Sequence, residues 1–496
     1  ADTPTGFSCV TYTGNGGTQS IAGMGFKPDL ILIKDRGIND GSTYSQATYD
    51  SIRGPLNHLR TDNTNPEGNQ TGSLLSFDNN GFTLGSHAGQ NTNNEEHIAW
   101  GWDMGGITVA NTGGTINSSV RANTTYGQSI VSYTGTGSNA TIGHGLSSAP
   151  EMIIVKTRSH TSDWPVYHSG LSGANYRIKL NANGGEDTDN NPWNSTAPTN
   201  QVFSVKNDAG NVNASGRTFI AYCFHSVTGY SKIGSYTAND STTNAITTGF
   251  RPAFVMVKCS SDGSGDRDWT VFDNARNPIG QANKSLKLNE VVVENGNSRV
   301  PLLDFTNTGF TLKSSHGETN GGSETYIYMA FAGGSDSVSD YNTDGSIDSR
   351  VKANPTYGQS IVSYTGNGTA GATVGHGLSS ALDMMIVKER NGVSGWNVFH
   401  SSLGGTKRIQ LEATTAATTV GNIWNDTAPS SSLITLGGSG AANENNMPNI
   451  AYCFHSVTGY SKFGTYNGDG TNNGSNAVNC GFTPAFVMIK CTNDTE

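Results

Sequence analysis

Apolar and polar positions in this chain alternate with a period of two. Ser129-Ile130-Val131-Ser132-Tyr133, Gly309-Phe310-Thr311-Leu312-Lys313 and Glu324-Thr325-Tyr326-Ile327-Tyr328-Met329 sort their side chains onto two faces, as extended strands do. Other runs, such as Leu30-Ile31-Leu32-Ile33 and Phe254-Val255-Met256-Val257, are apolar throughout. A strand of that kind is covered on both faces, so these predict central strands beneath loops or a second sheet. Asn-Gly, Asp-Gly and Gly-Gly pairs separate the strands at short intervals and mark turns. No amphipathic pattern longer than two helical turns interrupts them.

The pattern repeats. A strand, a Gly/Asn turn and a buried apolar run recur around Tyr12, Tyr133, Tyr236, Tyr364 and Tyr466. The steps between these tyrosines alternate, at 121, 103, 128 and 102 residues. Two unit types, a long A and a short B, therefore follow one another. AYCFHSVTGYSK closes both B units (Ala221–Lys232, Ala451–Lys462), and TYGQSIVSYTG opens both (Thr125–Gly135, Thr356–Gly366). Units of this length with many short strands predict an all-β tandem array of jelly-roll or lectin-like β-sandwiches. The units are 1–126 (A), 127–229 (B), 230–357 (A), 358–459 (B) and a partial A at 460–496. The B-to-A joints have almost no linker. The A-to-B joints span about two dozen residues and contain a turn, as at Asn342-Thr343-Asp344-Gly345, that predicts a small hairpin. Each sandwich is then expected to meet mainly its neighbours, giving an elongated rod. Two strands do not close a sandwich core, so the fifth unit is expected either to continue in a longer polypeptide or to dock on a neighbour.

Composition narrows the function. Of 496 residues, 34% are hydrophobic and 14% charged, well below the roughly 25% charged residues of ordinary soluble proteins. The 43 aromatic residues can nucleate several cores, and a net charge of −10 is too mild for a disordered chain. With 29 Lys+Arg against 39 Asp+Glu and no cationic stripe, nucleic acid is not an expected partner. No run of about 18 apolar residues predicts a membrane span. Ala1-Asp2-Thr3-Pro4 shows no basic-then-apolar leader, so such a segment was removed or export uses none.

Candidate chemistry is sparse. Cys223 and Cys453 are equivalent in the B units, and Cys259 and Cys491 in the A units that follow. They admit three readings: buried small hydrophobes, disulfides stapling the B-to-A joints in an oxidising setting, or metal ligands, the last disfavoured because no Cys-x-x-Cys spacing occurs. Cys9 and Cys480 have no repeat partners. The histidine pairs His144/His376, His168/His400, His225/His455 and His87/His316 read as structural. The position of His168 and His400 in W-x-V-x-[HD] is Asp273 in the second A unit, and a catalytic base does not swap freely between the two. Asp340, Asn342, Asp344 and Asp348, with Gly345, match a calcium loop in part. Val351 stands where its closing Glu belongs, so a turn is the competing reading and no metal is assigned. Trp193 and Trp424, in Trp-Asn-x-Thr-Ala-Pro loops, either pack across their own sandwich or stack on a glycan. Asp50/Arg53/Pro55 and Asp273/Arg276/Pro278 share a D-x-x-R-x-P pattern that reads as an intra-loop salt bridge. No nucleophile elbow, P-loop, dinucleotide or zinc motif occurs. No catalytic residue and no cofactor is expected.

Phe26–Arg36 (FKPDLILIKDR), Ser360–Gly368 (SIVSYTGNG), GHGLSSA at Gly143–Ala149 and at Gly375–Ala381, AYCFHSV and Asn342–Ile347 together resemble a tandem domain of unassigned function. It is found in large virion proteins, tail or tail-fibre proteins, of marine bacteriophages. The resemblance covers nearly the whole chain. It implies a lectin-like sandwich, no catalytic residues, and location in the virion beside other virion proteins. The first A unit departs from it, with Thr48-Tyr49-Asp50 in place of W-x-V-x-[HD]. The expected function is a non-enzymatic structural component, homo-oligomeric, giving reach and weak multivalent contact with a host-surface polysaccharide. The alternatives are a secreted bacterial adhesin or surface filament, and a polysaccharide-degrading enzyme.

Overall fold

The runs that are apolar on both faces set the architecture. In the computed structural model, which describes residues 6–39, 41, 44–207, 211–261, 267–277, 281–282, 284–294, 302–333, 341–470 and 477–493, each complete copy is built around its last strand. In the first copy Glu96–Trp102 lies between Phe7–Thr13 and Leu30–Asp35, with Ala47–Asp50 beyond. In the second, Thr218–Phe224 lies between Gln128–Thr134 and Met152–Thr157, followed by Pro165–His168 and Ile178–Lys179. In the third, Thr325–Phe331 lies between Ser231–Thr237 and Phe254–Cys259, followed by Thr270–Asp273 and Leu286–Lys287. All pairings in these sheets are antiparallel.

A smaller sheet covers one face of each main sheet. It is formed by Gln19–Ala22, Gly81–Leu84 and Leu74–Asp78 in the first copy, by Ala140–Gly143 with Val202–Val205 in the second, and by Asn244–Thr247, Gly309–Leu312, Leu303–Thr306 and Gln281–Ala282 in the third. Each sandwich has its own core, around Ile31 and Phe82, Ile153 and Phe203, and Val255 and Phe310 respectively. The molecule is all-β with many separate antiparallel sheets, in keeping with β-sandwiches. The α-helices among the described residues are single turns, Ala88–Asn91 and Gly440–Asn443, and none is long and apolar enough to cross a membrane.

The chain divides into two compact units, residues 1–335 and 336–496. Within the first, the outer faces of the three main sheets meet in one further core. The central strands supply three matching rows: Ile98, Ile220 and Ile327; Trp100, Tyr222 and Met329; Trp102, Phe224 and Phe331. Phe331 touches all three copies, its ring centroid 5.4 Å from Phe7, 5.9 Å from Trp102 and 5.9 Å from Phe224. The third copy closes on the first at Gly333, where a Cβ would stand 2.3 Å from the carbonyl oxygen of Phe7. This corrects the expectation that sandwiches meet mainly their sequence neighbours. In residues 1–335 the first and third copies pack together, because each main sheet has a second apolar face and burying all three at once requires closure.

The hairpin between the first two copies, Val109–Asn111 and Ser118–Asn123, hydrogen-bonds to Gln128–Thr134 and so extends the second copy's sheet. In the second unit Tyr341–Asn342 and Ser349–Asn354 extend the fourth copy's sheet in the same way. There Pro448–Phe454 lies between Gln359–Thr365 and Met384–Glu389, and a sandwich core forms around Tyr364, Trp424 and Ile434. The described residues of 462–493 hold no strand.

Candidate functional site

The residues with the most unusual environments lie along the seams between the three copies of the first unit. The apolar second strand of each copy ends in a lysine that leaves its own sheet. Lys156 of the second copy donates to the carbonyl of Thr64 in the first, at 2.9 Å. Lys258 of the third donates to Asn183 in the second, at 3.0 Å. Lys34 of the first donates to Glu290 in the third, at 3.5 Å, completing the circuit. All three lysines are fully buried. Burial pushes Lys34 and Lys156 down to about 8. A buried ammonium is tolerated when carbonyl oxygens replace its water.

A backbone hydrogen bond marks the same point of every seam. The N–H of Glu67 donates to Arg158, that of Glu186 to Ser260 and that of Glu294 to Arg36, at 2.7–2.8 Å. Two seams add a bidentate ion pair, Arg158 with Glu67 and Arg36 with Glu294. Burial alone would raise the Glu294 carboxyl, but the guanidiniums of Arg36 and Arg276 hold it below the usual carboxylate range. Ser260 replaces the arginine at the remaining seam, and Glu186 bonds Ser172 instead.

Facing these contacts are Asp50, His168 and Asp273, equivalent positions at the ends of the third strands. Each meets the central strand of a neighbouring copy. The Tyr222 hydroxyl donates to Asp50 at 2.8 Å, and the Trp100 indole N–H to Asp273 at 3.0 Å. Where the central strand has Met329, which has no donor, the third-strand residue is His168. Its Nδ1 accepts from the Gly170 N–H at 2.9 Å, which makes Nε2 the donor to the Tyr328 carbonyl at 3.3 Å. Asp appears opposite a donor and His opposite an acceptor. Arg53 and Arg276 bind Asp50 and Asp273 from their own loops, and all four side chains are buried. Between the rows lies a cavity of about 60 Å³ walled mainly by apolar side chains, among them Leu32, Trp100, Trp164, Phe254, Met256 and Met329. The apolar walls and the mutually neutralised charges at the rim hold the three sheets together.

The chain matches the family described as Domain of unknown function (DUF7483) over residues 3–335 and again over 333–496. The chain belongs to this family. No curated protein and no solved structure matches it. The first match, residues 3–335, has nearly the extent of the compact unit 1–335, and the second, 333–496, that of the unit 336–496.

The residues singled out in the DUF7483 sequence fall into place as follows. Trp193 and Trp424 are each 1% exposed, packed edge-on to Tyr167 and Phe399 inside their own sandwiches. Neither ring has a face open to a sugar, which corrects the glycan reading. Cys223 lies in the second copy's core and Cys259 in the third's, so they face different interiors; all six cysteines are free thiols. The joints are therefore not stapled by disulfides in this structure. Cys453 is buried in the fourth copy's core and Cys491 is exposed. Burial pushes the Cys223 and Cys453 thiols up to about 12.

Asp340 of the calcium candidate lies outside the described residues. Asn342 accepts from the Asp344 N–H at 2.7 Å, closing a turn ahead of Ser349–Asn354. Among the described residues no three of His, Cys, Asp and Glu gather in an arrangement that could hold a metal ion. Each of the eight paired histidines bonds a backbone group within two residues of itself, as His144 does with Leu146 and His376 with Leu378. The D-x-x-R loops form the expected intra-loop pairs. What sequence reasoning missed is that these pairs lie at seams, and that the lysines do. The signal was present, because a lysine ends the apolar run in all five copies, at Lys34, Lys156, Lys258, Lys388 and Lys490.

Proposed function

We propose that this DUF7483 protein is a non-enzymatic structural component of a bacteriophage particle, a tail or tail-fibre element giving reach and weak multivalent surface contact. The observation that carries the reading is the shared core of residues 1–335. Three sheets bury their second faces together, and the aspartates, arginines and lysines that could have served a reaction are spent on joining copies. Such a body resists bending because a hinge between copies would expose its aromatic rows. The rigid element of an elongated array is then the three-copy body rather than the single sandwich. Contact with a host surface falls to the Asn-, Ser- and Thr-rich outer loops, repeated at fixed spacing, where avidity replaces strong single sites.

The test is immunogold electron microscopy of phage particles from the producing strain, with antibody raised against the chain. Label on the tail is the expected result. Label on the host envelope with none on particles would replace this reading with the adhesin, and polysaccharide cleavage by the purified chain would replace it with the enzyme.

A further inference from the structure

The third copy places a lysine between two carboxylates at one edge of its main sheet. Thr270 pairs with Lys287 across the strands Thr270–Asp273 and Leu286–Lys287. The same register sets Asp268 opposite Asn289, so Asp268 and Lys287 are diagonal neighbours on one face. The Lys287 ammonium donates to Oδ2 of Asp268 and lies 2.8 Å from Oε1 of Glu318. Asn289 Nδ2 donates to the other Asp268 oxygen, Oδ1, at 2.6 Å. Glu318 sits on the turn that begins at His316, whose carbonyl accepts from the N–H groups of Thr319 and Asn320. Asp268 and Glu318 are both buried, and Oε2 of Glu318 has no hydrogen-bond partner among the described residues. Burial alone would pull the lysine down, but its hydrogen bonds to the two carboxylates hold it above its usual range. Its amine is therefore released by passing a proton to one of them. The second copy has the same pair without the third member. Lys179 lies 3.2 Å from Asp163, their side chains 29% and 28% exposed, and Asn181 donates to Asp163 at 3.0 Å. Asn211 stands there in place of Glu318, and the fourth copy has Gly395 and Gln410 in place of the pair. An ion pair needs no second buried carboxylate with an idle oxygen. A condensation does, because protons have to be carried from nitrogen to oxygen.

We propose that Asp268 and Lys287 condense into an intramolecular amide that cross-links the two strands at this edge of the third copy. Glu318 Oε1 takes a proton from the ammonium and hands it to Oδ2 of Asp268, which turns the carboxylate into the neutral acid. The amine lone pair attacks Cγ, and Asn289 Nδ2 steadies the charge that develops on Oδ1. Glu318 then carries a second proton from the nitrogen to Oδ2. The Cγ–Oδ2 bond breaks, Oδ2 leaves as water and the Oδ1 carbonyl re-forms. One ammonium and one carboxylate become one amide and one water, and Glu318 ends as it began. Placement supplies the driving force, because groups held in reacting contact reach effective molarities of roughly 10⁵–10⁸ M, far above the concentration of bulk water that opposes condensation.

The experiment is intact-mass spectrometry of the full chain under denaturing conditions, followed by fragmentation of its tryptic peptides. The expected mass is lower than that of the sequence by one water, and the loss should map to a linked pair of peptides containing Asp268 and Lys287. Lys287→Arg keeps the charge and cannot form the amide, so it should show the full mass with an unchanged circular dichroism spectrum. Glu318→Gln should be linked to a tenth or less of the wild-type extent at purification. Lys179→Arg, in the second copy, should leave the water loss in place. The full mass in the folded wild-type chain overturns the proposal. So does a water loss that persists in Lys287→Arg, which would place it at an aspartyl-glycine imide such as Asp344-Gly345. Complete linkage in Glu318→Gln overturns the part given to the glutamate.

Discussion

Lys156 holds its ammonium between the carbonyls of Thr64 and Ser162, beneath the ring of Trp164. Methionine there keeps the stem but leaves two buried carbonyls unpaired. Lys156→Met should therefore cost about 2–4 kcal/mol in urea unfolding, where a surface lysine would cost almost nothing. Asp50 and Tyr222 belong to different copies. If the seam is one cooperative structure, Asp50→Ala and Tyr222→Phe are non-additive, with a coupling energy of at least about 1 kcal/mol in a double-mutant cycle. Burial pushes His58, His97 and His168 down to about 4, below the roughly 6.5 of an unfolded histidine. In that interval the unfolded chain binds more protons. The stabilisation is present above about pH 6.5 and is lost as pH falls toward 4, with His168 accounting for about 3 kcal/mol. Asp29, raised to about 6 mainly by burial, acts in the opposite sense. The net expectation is a urea midpoint that drops between pH 6.5 and 4.5. The drop should be smaller in His168→Gln, whose amide keeps the donor to Tyr328.

At the scale of single elements, the last strand of each copy carries the most weight, because it pairs on both edges and, in the three copies of residues 1–335, is buried on both faces. Its alternation was readable from Glu324–Met329, and the run AYCFHSV identified it in both B units. What could not be read was its place at the centre of the sheet. That place depends on a pairing about a hundred residues long in sequence, as between Gln128 and Phe224. The Trp193 loop illustrates the same division. Its sequence suited both a sugar platform and a plug, and only the position of Tyr167 beneath it selects the plug. Trp193→Ala should cost about 3–5 kcal/mol and disturb the near-ultraviolet circular dichroism of the second copy.

At the scale of the molecule, the three sandwiches of residues 1–335 bury one face each in common. They should therefore unfold together. Calorimetry of this region is expected to give one endotherm with matching calorimetric and van't Hoff enthalpies, whereas beads on a rod would give separable transitions. Ile220→Ala, which cuts the middle copy's side of the shared core, should lower the melting temperature of the whole transition instead of splitting off one copy.

Period-two patterning, the A and B repeat, the turns and the apolar-on-both-faces runs are local properties. Each depends on residues a few positions apart, and the sequence alone settled them. Leu30–Ile33 even announced that its second face would be covered. Only the tertiary structure decided what covers it. The same apolar face serves equally well beneath a loop, against the next bead of a rod or around a closed core, because hydrophobic burial has no direction. Direction came from the groups that do have it. These are the lysine ammonium, the Asp50 and Asp273 carboxylates and the His168 ring, and their partners lie in other copies, about 75 to 260 residues away.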